Sequence, residues 1–140
     1  MFALSSQVVE RLVAHALAER PRECCGVVAA LNGRALVAYP ARNVAPDVDR
    51  FSMHAQDLYD LYRLCEENGW EVCFYHSHPR GPASPSEVDR ALALWPDALQ
   101  IIVSLEGARP EIRAFHLRPE GVAEEEVQME GGPPEGLLAP

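Results

Sequence analysis

A chain of 140 residues and 15.4 kDa has the length of one ordinary domain, enough for a single core between two or three layers of secondary structure. Hydrophobic residues at 48% and charged residues at 24% strike a globular, water-soluble balance that excludes a fibrous or extensively disordered chain. The formal net charge of −9 would repel a phosphate backbone, and no cluster of Lys or Arg interrupts it, so nucleic acid is not an expected partner.

In chain order, "SSQVVERLVAHALAERP" places Val8, Val9, Leu12, Val13, Ala16 and Leu17 at helical spacing. Ser5 or Ser6 can cap that helix and Pro21 stops it. "CGVVAAL" and "RALVAYPA" flank an Asn-Gly pair, which predicts two antiparallel strands joined by a tight hairpin. "DRFSMH" is a weaker strand. "AQDLYDLYRLCEENG" repeats apolar residues at Leu58, Leu61, Tyr62 and Cys65 and ends in a glycine stop, which predicts a second helix. "WEVCFYHSH" reads as a strand ended by Pro79, and "PSEVDRALALW" as a third helix capped by Ser86 and closed by Pro96. "LQIIVSL" and "EIRAFHL" are two further strands around the turn "EGARP".

From about Arg118 the composition turns to Glu, Gly and Pro, which predicts an acidic, loosely held tail over 119–140 behind one domain at 1–118. This order of elements predicts an α/β fold, a mixed central β-sheet covered by helices. The apolar runs are too short to span a bilayer and the N-terminus lacks a basic leader region, so a cytoplasmic protein with no membrane partner is expected. Cys24, Cys25, Cys65 and Cys73 show neither zinc-knuckle spacing nor disulfide density, and are expected to be reduced and buried.

The chemistry concentrates in "FYHSHPRGPASPSEVDRA". Side chains alternate along a strand, so His76 and His78 project from one face, close enough for both imidazoles to hold one metal, while Ser77 points the other way. The proline-rich bend that follows can return Asp89, in the first turn of the third helix, to the two imidazoles. Two neutral histidines and one carboxylate leave a fourth tetrahedral position for water, as catalytic zinc sites require. Hydrolysis at such a site also needs a general base, for which Glu23 in "PRECCG" is the candidate. Each part has a plainer explanation alone. An H-x-H pair is more often structural than ligating, Ser86 with Asp89 is a good helix start, and a lone glutamate in a turn is ordinarily solvated.

Glu23 followed by Cys and Gly, then H-S-H, seven residues beginning with Pro79, Ser86, two residues and Asp89, together resemble the signature of the JAMM metallopeptidases, the MPN-plus domain family. The resemblance covers about residues 1 to 118 and implies the cytidine-deaminase-like three-layer sandwich of that family. It further implies that His76, His78 and Asp89 ligate one Zn2+ per chain. Glu23 would take a proton from the attacking water and pass it to the leaving nitrogen, and Ser86 would hydrogen-bond the oxyanion.

The chain has no room for the long insertions of the eukaryotic deubiquitinases and is similar to compact prokaryotic members. Those act on ubiquitin-like or sulfur-carrier proteins with a C-terminal Gly-Gly, which is the implied substrate and partner. A Gly-Gly tail would enter as an added strand, with Arg50–His54 as one edge that could receive it. The alternatives are an inactive MPN-type scaffold that only docks partners, a DNA-repair-associated relative, and a cysteine peptidase built on Cys24 or Cys25. A homodimer is an open alternative to a single chain.

Overall fold

The computed structural model describes residues 1–91 and 95–132. The elements are β1 (Phe2–Leu4), α1 (Ser6–Glu19), β2 (Cys25–Leu31), β3 (Arg34–Ala41), α2 (Ala55–Glu67), β4 (Glu71–His78), α3 (Glu87–Ala91), β5 (Leu99–Ser104), β6 (Glu111–Arg118), β7 (Gly121–Glu125) and β8 (Val127–Met129). Eight strands form one mixed sheet in the order β7-β6-β5-β4-β2-β3-β1-β8, with helices on both faces. The α/β class expected from the sequence is the class observed.

Local chemistry accounts for the elements. Ser5 caps α1 by accepting from the Val8 backbone N–H at 3.2 Å, and Val8, Val9, Leu12, Val13 and Ala16 form its buried stripe. Asn32 and Gly33 both take positive φ, 52° and 78°, as the two-residue turn between β2 and β3 requires. Gly69, at φ 68°, follows the end of α2. The expected run of α3 on to Trp95 falls on 92–94, outside the described residues.

The two faces of the sheet bury different sets. On one, α1 packs with Phe2, Leu4, Val28, Cys73, Tyr75, Ile101, Val103 and Ile112 in the largest core cluster. On the other, Val27, Ala29, Cys65 and Phe74 meet Leu58 and Leu61 of α2, while Ala83 packs on Ile102, Phe115 and Leu117. Gly26 is required where β2 passes Tyr75: an added Cβ would lie 2.3 Å from the Tyr39 carbonyl oxygen and 2.4 Å from the Tyr75 ring.

Two expectations are corrected. Residues 121–129 are not a loose tail: β7 pairs antiparallel with β6 and β8 pairs parallel with β1. These strands join the sheet through backbone bonds and bury none of their side chains fully, so their acidic composition does not oppose pairing. Ion pairs Arg113–Glu124 and Arg34–Glu130 and the Met1 amino group on Glu125 add to them. Because only Glu126 separates β7 from β8, one continuous segment serves both ends of the sheet, and the sheet curls around α1. The rest of that tail, 133–140, lies outside the described residues.

Arg50–His54 is also not a strand. It makes one isolated bridge, Asn43 to Met53, because the Asn43 side chain takes its backbone groups, donating to the Arg50 carbonyl and accepting from the Ser52 N–H. Among the described residues, no helix is long and apolar enough to cross a membrane.

Candidate metal centre

Strand pairing builds the site. His76 sits directly opposite Cys25 in the antiparallel β2–β4 pair. Continuing that register past the end of β2 sets Cys24 against Ser77 and Glu23 against His78. Two bonds hold that extension: the Ser77 N–H donates to the Cys24 carbonyl at 3.1 Å, and the Cys24 N–H donates to Ser77 Oγ at 2.8 Å. Ser77, on the face away from the histidines, thus fastens the segment that carries Glu23.

From the other side comes the bend 79–86. Ser104 Oγ donates to the Gly81 carbonyl at 2.6 Å, and the Pro82 carbonyl lies 2.8 Å from His78 Nδ1. At the start of α3 the Asp89 N–H donates to Ser86 Oγ at 3.1 Å while the Ser86 N–H donates to Asp89 Oδ2 at 3.0 Å, a reciprocal cap. That cap turns the Asp89 carboxylate onto the imidazoles.

All five residues singled out in the sequence therefore meet. The ligand atoms of Glu23, His76, His78 and Asp89 lie within 4.8 Å of one another, and all four residues are buried. His76 Nε2, His78 Nε2 and Asp89 Oδ2 form a triangle with edges of 3.1, 2.9 and 3.1 Å. Ligands at about 2.0–2.1 Å around a tetrahedral zinc stand about 3.3 Å apart, so the donors are already close to that arrangement. Two imidazole nitrogens facing each other across one carboxylate oxygen are a donor set suited to a small cation, and the residues fit zinc. Glu23 Oε1 is buried without a hydrogen-bond partner among the described residues, as a group held ready for a ligand rather than for the fold would be.

The electrostatics separate the roles. Burial raises the Glu23 carboxyl to about 7, with His78 opposing the shift and the nearby Asp89 reinforcing it. Complete burial lowers His76, favouring its neutral ring. Burial also works against a proton on His78, but Asp89 and the Pro82 carbonyl outweigh it. Burial would raise Asp89, yet hydrogen bonds to His76 and His78 hold it below the usual carboxylate range.

A cleft of about 930 Å³ opens onto this centre, lined by Glu23, His78 and Ser86 and by the prolines of the bend. Cys24 and Cys25 are buried and unpaired, and desolvation pushes both thiols up to about 12. Buried thiols held in the protonated form, neither of them lining the cleft, do not favour the cysteine-peptidase alternative.

Other contributors had no signal in the sequence. Asn43 donates to the Glu23 carbonyl at 2.8 Å and accepts from Ala45 N–H at 2.9 Å, and the Glu23 N–H donates to Val48 at 3.2 Å, so loop 44–52 is folded onto the Glu23 main chain. Phe51 of that loop stacks on His76 with ring centroids 4.4 Å apart. Only an Asn two residues past a strand end, a common loop former, hinted at this.

Fold and site together define a mixed α/β domain with a buried donor cluster able to hold a metal, and the comparison with known families places it. The family described as prokaryotic homologs of the JAB domain matches residues 5–118, and the chain belongs to it, as the JAMM-type motif led one to expect. The CysO-cysteine peptidase of Mycobacterium tuberculosis is 30% identical over 133 residues, which cover 92% of this chain and 91% of that protein. The desampylase of Haloferax volcanii is 30% identical over 113 residues, 75% of this chain and 81% of the relative. Tail tip assembly protein K of Escherichia phage N15 is 37% identical over 89 residues, 63% of this chain; the match spans only 35% of the phage protein's length. The solution structure of protein DSY2949 from Desulfitobacterium hafniense superposes with a TM-score of 0.83 at 30% identity, covering 93% of each chain.

Proposed function

We propose that this protein is a zinc-dependent isopeptidase or peptidase that hydrolyses the bond following the C-terminal Gly-Gly of a ubiquitin-like or sulfur-carrier protein. The observation that carries this reading is the convergence of Glu23, His76, His78 and Asp89 within 4.8 Å in a buried centre at the floor of an open cleft. His76, His78 and Asp89 would hold one zinc. Zinc in such a site polarises the scissile carbonyl and lowers the pKa of water.

Glu23 is the general base and acid. Its unpartnered Oε1 and its raised pKa suit it to accept a proton from the attacking water and deliver it to the leaving amine. The Ser86 oxygen is engaged as acceptor of the Asp89 N–H, which leaves its own O–H to donate to the oxyanion as the carbonyl becomes tetrahedral. The cleft is walled in part by Pro79, Pro82 and Pro85, and the Gly-Gly tail would enter along it. That the relatives include a CysO-cysteine peptidase and a desampylase supports a small protein conjugate as substrate.

The test is incubation with a panel of ubiquitin-like proteins bearing C-terminal cysteine or lysine adducts, read by intact mass. Loss of the adduct mass, blocked by a zinc chelator and restored by added zinc, is expected. Cleavage that persists in chelator would remove the metal from the mechanism.

A further inference from the structure

The two histidines of the centre are held differently. A histidine that gives its Nε2 lone pair to a metal carries its proton on Nδ1, and that N–H is almost always given to a carboxylate, a carbonyl or a water, which orients the ring. His78 has such a partner in the Pro82 carbonyl, 2.8 Å from Nδ1. His76 has none among the described residues: its Nδ1 is buried without a hydrogen-bond partner there, in a residue only 1% exposed. His76 lines a second cavity of about 200 Å³, separate from the substrate cleft and walled mostly by apolar side chains, among them Phe51, Met53, Phe74 and Leu117.

One neutral polar side chain of that wall belongs to the sheet. Gln100 of β5 is 6% exposed, makes no side-chain hydrogen bond among the described residues, and lines the same cavity as His76. In the parallel β4–β5 pair, Gln100 lies opposite Phe74 and Ile102 opposite His76, so Gln100 is on the same face as His76 and diagonal to it. That diagonal is about 8 Å between Cα atoms, and the two residues share the wall of one cavity, where a water can bridge polar groups that do not touch. A cavity of this size has room for a water, and His76 Nδ1–H, the Gln100 amide and the Ser52 hydroxyl in its wall offer the two to four polar partners that a buried water needs.

We propose that Gln100, through a water held in this cavity, accepts the Nδ1–H of His76 and is a positioning residue of the metal centre. It rests on the reading that His76 ligates zinc. The water accepts the Nδ1–H and donates to the Gln100 amide oxygen, which keeps the proton on Nδ1, so that Nε2 presents its lone pair to the triangle it forms with His78 Nε2 and Asp89 Oδ2. Gln100 itself touches neither metal nor substrate.

The test is zinc affinity by competition with a chromophoric chelator, for the parental protein, Gln100→Met and Gln100→Glu, each checked for folding by far-UV circular dichroism. Gln100→Met keeps the length and volume of the side chain and removes the acceptor; it is expected to weaken zinc 10- to 100-fold, the usual effect of losing such a partner. Gln100→Glu keeps an acceptor and is expected to bind within about threefold of the parental protein, a rescue that a purely packing role would not produce. In the zinc-loaded parental protein the His76 Nδ1 proton should give a slowly exchanging NMR resonance that Gln100→Met broadens. Parental affinity in a folded Gln100→Met protein would overturn the role of Gln100 and leave His76 as a ligand. A parental protein that binds no zinc would overturn both. Should Gln100→Met not fold, the Gln100→Glu affinity and the parental His76 resonance decide the matter: absence of that resonance in the zinc-loaded protein overturns the proposal.

Discussion

On the α1 side of β4, Cys73, Tyr75 and Ser77 lie in a surface where the polar groups are paired: the Tyr75 hydroxyl is 2.7 Å from His15 Nδ1, and Ser77 Oγ accepts from Cys24. On the opposite side of the same strand, Phe74, His76 and His78 face a region that is just as buried and much less complete. Two of the three buried side-chain atoms without partners among the described residues, Glu23 Oε1 and His76 Nδ1, are there. One face satisfies its groups internally and supports the fold; the other leaves groups unsatisfied where the proposed zinc and substrate would be met. Changes on the site face should therefore remove rate and spare the fold, and changes on the α1 face should do the reverse.

The largest effect is expected from Glu23→Gln. Conjugate cleavage should fall by about 10² to 10⁴, the usual contribution of a general base, while zinc content and secondary structure stay parental. The same variant sharpens the comparison through pH. Burial raises the folded-state pKa of Glu23 from 4.5 to about 7, so in the metal-free protein its ionisation opposes folding. That penalty is absent below about pH 4.5, grows between there and 7, and is full above 7. Metal-free Glu23→Gln should be more stable than its parent at pH 8 in urea unfolding, and the gain should vanish at pH 4.5.

Ser86→Ala comes next, with cleavage reduced about 10² to 10³ through loss of the oxyanion donor. Losing the cap on the Asp89 N–H should also lower stability by about 1 kcal/mol, visible in the denaturation midpoint. Gly26→Ala should break the α1 face instead. A methyl group 2.3 Å from a backbone oxygen and 2.4 Å from the Tyr75 ring forces displacement, and a loss of about 2–3 kcal/mol is expected by urea unfolding. In the fraction that stays folded, turnover per folded molecule should change least of the three; a large drop there would blur the division between the faces.

Much of the site was legible because its signals are local. An H-x-H pair ended by proline, a bend, and a Ser-x-x-Asp helix start lie within fourteen residues, and alternation along a strand and reciprocal capping operate at that range. Glu23 lies 53 residues before His76, and nothing local ties them; the family signature named it, and the 25–76 strand register explains it. Asn43 carried only the weak signal of a loop former past a strand end and Gln100 none, since their contacts arise from which segments the fold brings together. The β7–β8 segment was misread because composition reports what a segment can bury, and these strands are held mainly by backbone pairing at the sheet ends. Arg50–His54 failed for the converse reason, its strand-like pattern being overridden by the Asn43 side chain.

The most direct test of the central claim is the metal itself, counted by native mass spectrometry on protein purified without chelator, for the parental chain and for Asp89→Ala. One zinc per chain is predicted for the parent and none for a folded Asp89→Ala. A parental protein that carries no zinc and takes none up, or an Asp89→Ala protein that retains it, would contradict the assignment of His76, His78 and Asp89 as a ligand set.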